Sequence, residues 1–500
     1  MIRKRYHLAA FAAVGTLVLV SCGSDDDKAS DTTKAAAATT AAPTATTTAE
    51  TSGGSTDTTT AETTESTGEA TETTTEATEA TEETTEPTDA ETTVATEAPS
   101  EAWTVDTSEC SDPDAAEAPI EGELTIGAAQ PLSGTPAVAF SPVKDGFELY
   151  LKYANDNNLL EGITLKSDIK DDQYDATQTP GVVDSLIDDG VNIFSGIIGT
   201  PNNLAVRDTL NEECIPQLLN LTGAPDWGND VASYPWTTGA LVPYDIEARI
   251  YATTLKGLIG EGGTVGLFTV NSEFGKTYAD AFKAAAADAG LEIVDEQTIE
   301  PAEEAPPTNQ IGAIAADKPD AIMAVPLGAQ CPTFLKELVN AKAANTDWNP
   351  VVFQTNTCAS RLLISLLAGD AGNGVYTSTN LIDPVDPANA ANPGVKTLVD
   401  AYTAAGLKGD LATTAVGWTV AEDTVAILKK AQESGTLSRK SIIEAARNLT
   451  FTPSLALPGV EYKMNGEEDG YSFQTLQVEQ WDQPSNLFKN IGTPDSSSES

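Results

Sequence analysis

The spacing of apolar residues from Glu123 onward most constrains the fold of this chain. Short runs rich in β-branched residues alternate with longer stretches in which apolar residues recur three and four positions apart. The short runs predict buried strands and the longer stretches predict amphipathic helices. The predicted strands are Leu124–Ala129, Ile193–Ile198, Pro216–Leu219, Val265–Thr269, Ala321–Val325, Val351–Phe353 and Val375–Thr379. The predicted helices are Val143–Asn155, Pro201–Glu213, Asp245–Ile259, Lys276–Ala289, Pro332–Ala343 and Thr419–Gln432.

Strands that alternate with helices of this length predict parallel sheets covered on both faces, which is the doubly wound class of α/β fold. The strand–helix units form two groups, over residues 120–240 and 243–381, with Leu241-Val242-Pro243 between them as a crossover. Ligands of open α/β sheets bind beyond the carboxyl ends of the strands. The sequence therefore predicts two lobes whose strand ends face a shared cleft.

Polar loops follow several of the predicted strands. Thr200 and Pro201 are predicted at the N-cap and the first position of a helix, where free backbone N–H groups favour a carboxylate or another oxygen-rich group. An ordinary helix cap without a ligand explains the same spacing. Asn220-Leu221-Thr222-Gly223 and Pro131-Leu132-Ser133-Gly134 end two other strands with hydroxyl groups and a glycine that permits close approach.

The N-terminal residues 1–22 fit a bacterial lipoprotein signal peptide. Three basic residues precede an apolar run from Leu8 to Val20 that is too short to cross a bilayer as a stable helix. Leu19-Val20-Ser21-Cys22-Gly23 resembles a lipobox, in which the cysteine receives diacylglycerol; an ordinary signal peptide with an incidental cysteine is the alternative. We expect Cys22 to anchor the protein to the outer face of the cell membrane.

Residues 23–118 have the composition of a disordered tether. Thr, Ala, Glu, Ser and Pro dominate, and about two dozen acidic residues face only Lys28 and Lys34. Such a segment repels itself and buries too little apolar surface to fold. We interpret it as a spacer between membrane and folded part, and we expect the tail 493–500 to be disordered as well.

About 380 residues remain, which is enough for two lobes with full cores. Their acidic balance argues against nucleic acid as a partner. Apart from Cys22, four cysteines remain, an even number that suits an oxidising location. Of the three possible pairings we favour Cys110–Cys214, which would pin the start of the folded part to the first lobe, and Cys331–Cys358, which would join two strand ends of the second.

The histidine content argues against an enzyme. The only histidine, His7, lies in the predicted signal peptide. Beyond that peptide the chain has no imidazole for a Ser-His-Asp or Cys-His arrangement or for the usual zinc site. We therefore expect no catalytic residues, no metal and no cofactor.

Several segments resemble type I periplasmic binding proteins, and in particular the leucine/isoleucine/valine-binding branch. The similarity runs from about residue 120 to the end of the chain. The segments that carry it are Leu124–Gly134, Gly146-Phe147-Glu148-Leu149, Asp171–Asp175, Gly196–Thr200, Ile215–Asn220, Asn271–Gly275 and Gly369–Gly374.

The resemblance implies two lobes joined by three crossovers, with a ligand buried between them and closure of the lobes around it. It implies that the first lobe comprises residues 119–241 and 384–454 and the second lobe residues 242–383 and 455–492. In amino-acid binders the position of Thr200 holds the ligand carboxylate, and Phe274 matches an aromatic of the second lobe. The ligand-binding residues predicted on this basis are Ser133, Phe140, Gly199, Thr200, Leu221, Thr222, Gly223, Phe274, Thr355 and Asn356.

The sequence departs from the amino-acid binders around Asn356. Those proteins carry a carboxylate there to pair with the ligand's ammonium group, whereas Thr355-Asn356-Thr357 has none. Because a buried ammonium without a counter-charge is costly, an amide, a urea-like compound or a small organic acid fits better than a simple α-amino acid, unless another acidic side chain compensates.

We therefore expect a monomeric, non-enzymatic lipoprotein that captures a small polar metabolite and delivers it to the permease subunits of an ABC importer. The alternative is a ligand-sensing receptor of the same fold that acts on a signalling partner. Both hypotheses depend on a cleft whose closed state is favoured by contacts from the ligand to both lobes.

Overall fold

The computed structural model of the protein describes residues 102–495. The predicted signal peptide, the Cys22 lipidation site and the tether up to residue 101 lie outside the described residues, as does the tail from residue 496. Within residues 102–495, no helix has the length and hydrophobicity that a membrane span requires.

The elements follow the predicted alternation of strands and helices. In the described residues the strands are β1 Gly122–Gln130, β2 Ile163–Asp171, β3 Ile193–Ser195, β4 Gln217–Asn220, β5 Thr237–Gly239, β6 Thr264–Val270, β7 Glu292–Ile299, β8 Ala321–Val325, β9 Val351–Gln354, β10 Tyr376–Thr379, β11 Thr450–Phe451, β12 Tyr462–Lys463, β13 Gln477–Asp482 and β14 Leu487–Asn490. The helices are α1 Pro113–Glu117, α2 Ala137–Asp156, α3 Thr179–Asp188, α4 Thr200–Glu212, α5 Asp226–Asn229, α6 Tyr244–Ile259, α7 Glu273–Ala289, α8 Thr308–Asp317, α9 Gln330–Ala344, α10 Pro393–Ala405, α11 Leu411–Glu433 and α12 Arg439–Arg447.

Two separate sheets confirm the predicted doubly wound α/β class. The first sheet has the order β2-β1-β3-β4-β5 and all its pairings are parallel. The second has the order β14-β13-β10-β9-β8-β6-β7, in which β13 and β14 are antiparallel additions to a parallel sheet. In each sheet the chain order reverses beside a central strand, which is where open sheets of this class form a crevice.

Helix α11, from the C-terminal part of the chain, returns to the first sheet. It packs against α2 and against β3 and β4. The crossing of α11 and α2 is so close that a Cβ atom added at Gly417 would lie 1.9 Å from the carbonyl oxygen of Val143, and one added at Gly146 would lie 1.9 Å from that of Thr414. Glycine at both positions therefore lets the two helix backbones touch.

The ordered part begins earlier than the predicted tether boundary at residue 118. The backbone N–H of Trp103 donates to Oδ1 of Asn448 (2.9 Å), and Nδ2 of Asn448 donates back to the Trp103 carbonyl (2.7 Å). Val105 is buried, and its N–H donates to Glu444. The few apolar residues at the end of the Thr-rich segment thus bind it to α12. The prediction of disorder was wrong for residues 102–118.

The predicted tail is also ordered over its first residues, since Asp495 and Leu476 exchange backbone hydrogen bonds of 2.8 and 2.9 Å. Residues beyond the predicted lobe boundary at residue 455 also contact the region of β4 and β5. Oη of Tyr471 donates to the Pro225 carbonyl (3.0 Å), and Oγ of Ser472 donates to that of Gly239 (2.7 Å). The chain therefore still contacts the first sheet at residue 472, shortly before β13 begins at Gln477.

Candidate functional site

A cavity of about 200 Å³ lies where strand ends of the two sheets face each other. From the first sheet, Ile198 follows β3 and Leu221 follows β4. From the second, Phe274 lies in the first turn of α7, Leu327 follows β8 and Asn356 follows β9. This is the position that the sequence predicted for a cleft, beyond the carboxyl ends of parallel strands.

Half of the predicted ligand-binding residues lie on the wall of this cavity. They belong to loops that follow strands or to the first turns of helices, so the backbone holds them in place. The predicted residues that line the cavity are Phe140, Gly199, Leu221, Phe274 and Asn356.

Thr200 and Thr222 lie behind the wall of the cavity. Thr200 is the first residue of α4 and not its N-cap, which is Gly199. Its hydroxyl shares a buried hydrogen bond of 2.6 Å with that of Thr222, whose Oγ1 also accepts from the N–H of Ala224. Both hydroxyls therefore bind protein groups and fix the two strand-end loops to each other.

Ser133, Gly223 and Thr355 do not line the cavity either. Ser133 is exposed, and its hydroxyl donates to the carboxylate of Asp171. Gly223 packs so tightly on Tyr244 that an added Cβ would lie 2.6 Å from the ring. Thr355 is fully buried, and its N–H donates to the carbonyl of Ala324. These three residues shape the loops around the cavity without reaching its surface.

Tyr174 and Tyr244 are wall residues that the sequence reasoning missed. Both phenol rings line the cavity, and the ring of Tyr244 packs on that of Phe274 at a centroid distance of 5.4 Å. Tyr244 comes directly after the predicted crossover at Pro243, so its position next to a cleft was the available signal. Together with Phe140, these rings make the wall largely apolar on the side of the strand ends.

Asn356 has a carboxyl group directly behind it. Its backbone N–H donates to Oε1 of Glu247 (2.8 Å), a side chain of α6 that is fully buried. Burial raises the pKa of Glu247 to about 7, and the hydrogen bond from Asn356 opposes that rise. Glu247 does not line the cavity, so it supplies an acidic group near Asn356 without being a direct counter-ion for a ligand.

Three carboxyl groups also belong to the lining of the cavity. Asp423 of α11 and Glu479 of β13 both line it, as does Asp383. Asp383 is paired with the guanidinium of Arg361 at 2.6 Å. Burial raises the pKa of Asp423 well above its ordinary value, and burial together with the neighbouring Asp383 raises the pKa of Glu479 to about 8. Burial therefore favours the neutral form of Asp423 and Glu479.

The raised pKa of Glu479 predicts a stability that falls as pH rises. Since its folded-state pKa of about 8 lies above the ordinary 4.5, the folded state holds the proton more tightly; the stabilisation is full below about pH 4.5 and lost as pH rises through about 8. Inside this window the loss is roughly 1.4 kcal/mol per pH unit. Urea unfolding of Glu479→Gln at about pH 5 and about pH 8 should show a smaller difference than the parent protein. Glu292→Gln, at an exposed position of β7, is the control. If the free energy of unfolding of Glu479→Gln changed between the two pH values as much as that of the parent protein, the raised pKa of Glu479 would be refuted.

Two pairs of cysteines lie at disulfide-bonding distance, and they are the pairs that the sequence predicted. Cys110 and Cys214 have a Cα–Cα distance of 5.5 Å and join the start of the described segment to the end of α4. Cys331 and Cys358 are 5.9 Å apart and join the start of α9 to the loop after β9, beside Asn356. The second pair fixes a loop that forms part of the cavity wall.

Two α/β sheets whose strand ends enclose one cavity define the class of two-lobed binding proteins. The sequence profile of the family described as periplasmic binding protein matches residues 123–485. The chain therefore belongs to the periplasmic binding protein family, whose members are extracytoplasmic solute-binding proteins and not enzymes. No curated protein sequence matches the chain significantly.

Solved structures of ABC transporter proteins share the fold. A branched-chain amino acid ABC transporter protein from Thermus thermophilus with bound valine superposes with a TM-score of 0.66 at 18% identity, covering 76% of this chain and 97% of that one. A fatty acid ABC transporter substrate-binding protein from Thermomonospora curvata superposes with a TM-score of 0.64 at 19% identity, covering 75% of this chain and 93% of that one. A solute-binding protein from R. palustris in complex with benzoate superposes with a TM-score of 0.62 at 19% identity, covering 74% of this chain and 96% of that one. These likenesses confirm the type I periplasmic binding fold.

Proposed function

We propose that this protein is an extracytoplasmic lipoprotein that captures one small metabolite in the cavity between its sheets and delivers it to the permease subunits of an ABC importer. The observation that carries the proposal is the cavity itself, which is walled by strand-end loops of both sheets. A ligand held there touches both lobes and therefore stabilises the closed arrangement. Cys22 would carry the lipid, and the acidic segment that follows would act as the spacer.

The wall of the cavity favours a ligand with an apolar body. The predicted classes were an amino acid, an amide or urea-like compound, and a small organic acid. A simple α-amino acid would find no carboxylate on the wall at Asn356, because Glu247 lies behind it. An organic acid would meet Asp423 and Glu479 without a cationic partner in the described lining. The valine, fatty acid and benzoate proteins among the structural neighbours are consistent with apolar ligands in this fold.

We further propose that the two lobes meet at crossovers near residues 241, 383 and 474, and that the protein works as a monomer with both cysteine pairs oxidised. The first lobe then comprises residues 102–241 and 384–473. The contacts of Tyr471 and Ser472 with the β4–β5 region support the later third crossover. The pairing of Cys331 with Cys358 would keep the Asn356 loop in place while the lobes move.

A thermal-shift screen of the purified protein tests the proposal. Amino acids, amides, polyamines, short organic acids and amphipathic amines are the panel, because a ligand selective for the folded state raises the melting temperature. We expect one class of compound to raise the melting temperature. Asn356→Ala should lower the affinity for that ligand by at least about tenfold, since Asn356 lies on the wall of the cavity.

Ser133→Ala is the matched control, because Ser133 was predicted as a contact but lies outside the cavity. Calorimetric titration should give the control the same affinity as the parent protein. Equal affinities for Asn356→Ala and parent would refute the site, and turnover of the ligand would refute the assignment as a binding protein.

A further inference from the structure

One face of α11 forms a long wall of the cavity. Apart from Thr413, the lining residues of this helix recur three and four positions apart, so they lie on a single stripe. The stripe spans twelve residues, whose eleven steps correspond to about 16 Å of helix axis. The residues of the stripe that the cavity exposes are Ala412, Ala415, Val416, Thr419, Val420 and Asp423.

The segment 378–384, which begins in β10, also lines the cavity, as do Phe473 and Phe488. We call the space between α11 and this segment the hinge arm of the cavity. Part of α11 lies beside the end of β3, because the hydroxyls of Thr424 and Ser195 share a hydrogen bond of 2.8 Å. Small and apolar side chains form most of the surface of the hinge arm, so a narrow apolar chain is the shape that fits it.

Asp423 ends the stripe and has no protein partner. Its side chain is 1% exposed, and its Oδ1 accepts no hydrogen bond from any described residue. The neighbouring Glu422 lies outside the lining, and its carboxylate accepts from the N–H and hydroxyl of Ser454 at 3.0 and 2.8 Å. Buried polar groups nearly always have a partner, so an unpartnered carboxyl on a cavity wall indicates a group that a ligand supplies.

The charges around the hinge arm favour a cationic group. No Lys, Arg or His lines the cavity in residues 102–495. Asp383 is already paired with Arg361. Asp423 and Glu479 are therefore the acidic residues of the lining that remain available to a ligand. An ammonium would supply the donors and the counter-charge that allow a buried carboxyl group to ionise, whereas a carboxylate ligand would supply neither.

We infer that the hinge arm binds an elongated, mostly apolar ligand that carries a protonated amine, with the carboxylate of Asp423 as hydrogen-bond acceptor and counter-ion. This inference rests on the proposed function and assigns its substrate class. The amine lies at Asp423, in the part of α11 beside the end of β3, and the apolar chain lies along the stripe toward Ala412.

Calorimetric titration with three probes of equal chain length tests the inference. Octylamine, octanamide and octanoate differ only in the end group, so their affinities for the full chain rank the charge that the arm accepts. We expect octylamine to bind at least about tenfold more tightly than octanoate. Asp423→Asn should lower the affinity for octylamine by at least about tenfold and change the affinity for octanamide by less than about threefold.

Glu422→Gln is the control, since it removes the adjacent carboxylate of α11 that faces Ser454 and should leave all three affinities unchanged. The probe ranking on the parent protein needs no variant and stands if Asp423→Asn fails to fold. Three outcomes would overturn the inference. Octanoate could bind with the same affinity as octylamine, octylamine could fail to bind, or the affinity for octylamine could be unchanged in Asp423→Asn. If another class from the thermal-shift panel binds tightly instead, the proposed function survives and only this substrate class fails.

Discussion

Replacing Val416 by Trp is expected to abolish ligand binding while the protein stays folded. Val416 lies on the cavity face of α11 and is partly exposed, so a larger ring projects into empty space instead of into the core. The indole fills a large part of a cavity of about 200 Å³. We expect the affinity for the ligand found by thermal shift to fall by at least about hundredfold, as measured by calorimetric titration.

Urea unfolding of Val416→Trp supplies the control for this prediction. The free energy of unfolding should stay within about 1 kcal/mol of the parent value, because the substitution occupies a void and displaces no packed side chain. Unchanged ligand affinity in a well-folded Val416→Trp protein would mean that the ligand binds elsewhere.

Replacing the next residue, Gly417, by Ala is expected to have the opposite effect. Its Cβ would lie 1.9 Å from the carbonyl oxygen of Val143, so α2 and α11 would have to move apart. Backbone atoms cannot swing away as a side chain does, and overpacking of this kind costs ~3 kcal/mol. Urea unfolding should show this loss directly.

Gly257→Ala is the matched control on a helix of the second group. An added Cβ at Gly257, in α6, meets no atom within 4 Å. Because alanine is the better helix former, this change should stabilise the protein by ~0.5–1 kcal/mol. A Gly417→Ala protein as stable as the Gly257→Ala protein would show that α2 and α11 do not cross as closely as described.

Most interior strands of the two sheets were predictable from the sequence, whereas the interior strand β13 and the edge strands were not. All seven predicted strands occur, as β1, β3, β4, β6, β8, β9 and β10. β2 and β7 were missed because each ends its sheet. An edge strand buries only part of its surface, so its apolar residues form no continuous run; Lys166, Asp168 and Lys170 interrupt β2.

The strand-end side of the site was predictable in position, and the hinge arm was not. Phe140, Gly199, Leu221, Phe274 and Asn356 line the cavity as expected, because parallel strands bring their carboxyl ends together. The α11 stripe has the same apolar periodicity as a helix buried against a sheet. Periodicity alone does not show whether such a stripe faces packed side chains or a cavity, so Asp423 carried no signal in the sequence.

The difference between Thr200 as predicted and Thr200 as observed has a simple physical cause. The helix begins at Thr200 because Gly199, with φ of 103°, makes the turn into it. This turn points the Thr200 hydroxyl toward Thr222 and away from the cavity, and leaves Gly199 on the wall. A loop pattern that matches a known binder therefore locates the loop correctly without fixing which of its atoms reach the ligand.

One small molecule is expected to bind between the two sheets, and a crystal structure of the complex with the tightest ligand from the screen would show this binding mode. We predict electron density enclosed by Leu221 on one side and Phe274 and Asn356 on the other, with the ligand extending along α11. A ligand bound only on the outer surface of the protein would refute this binding mode.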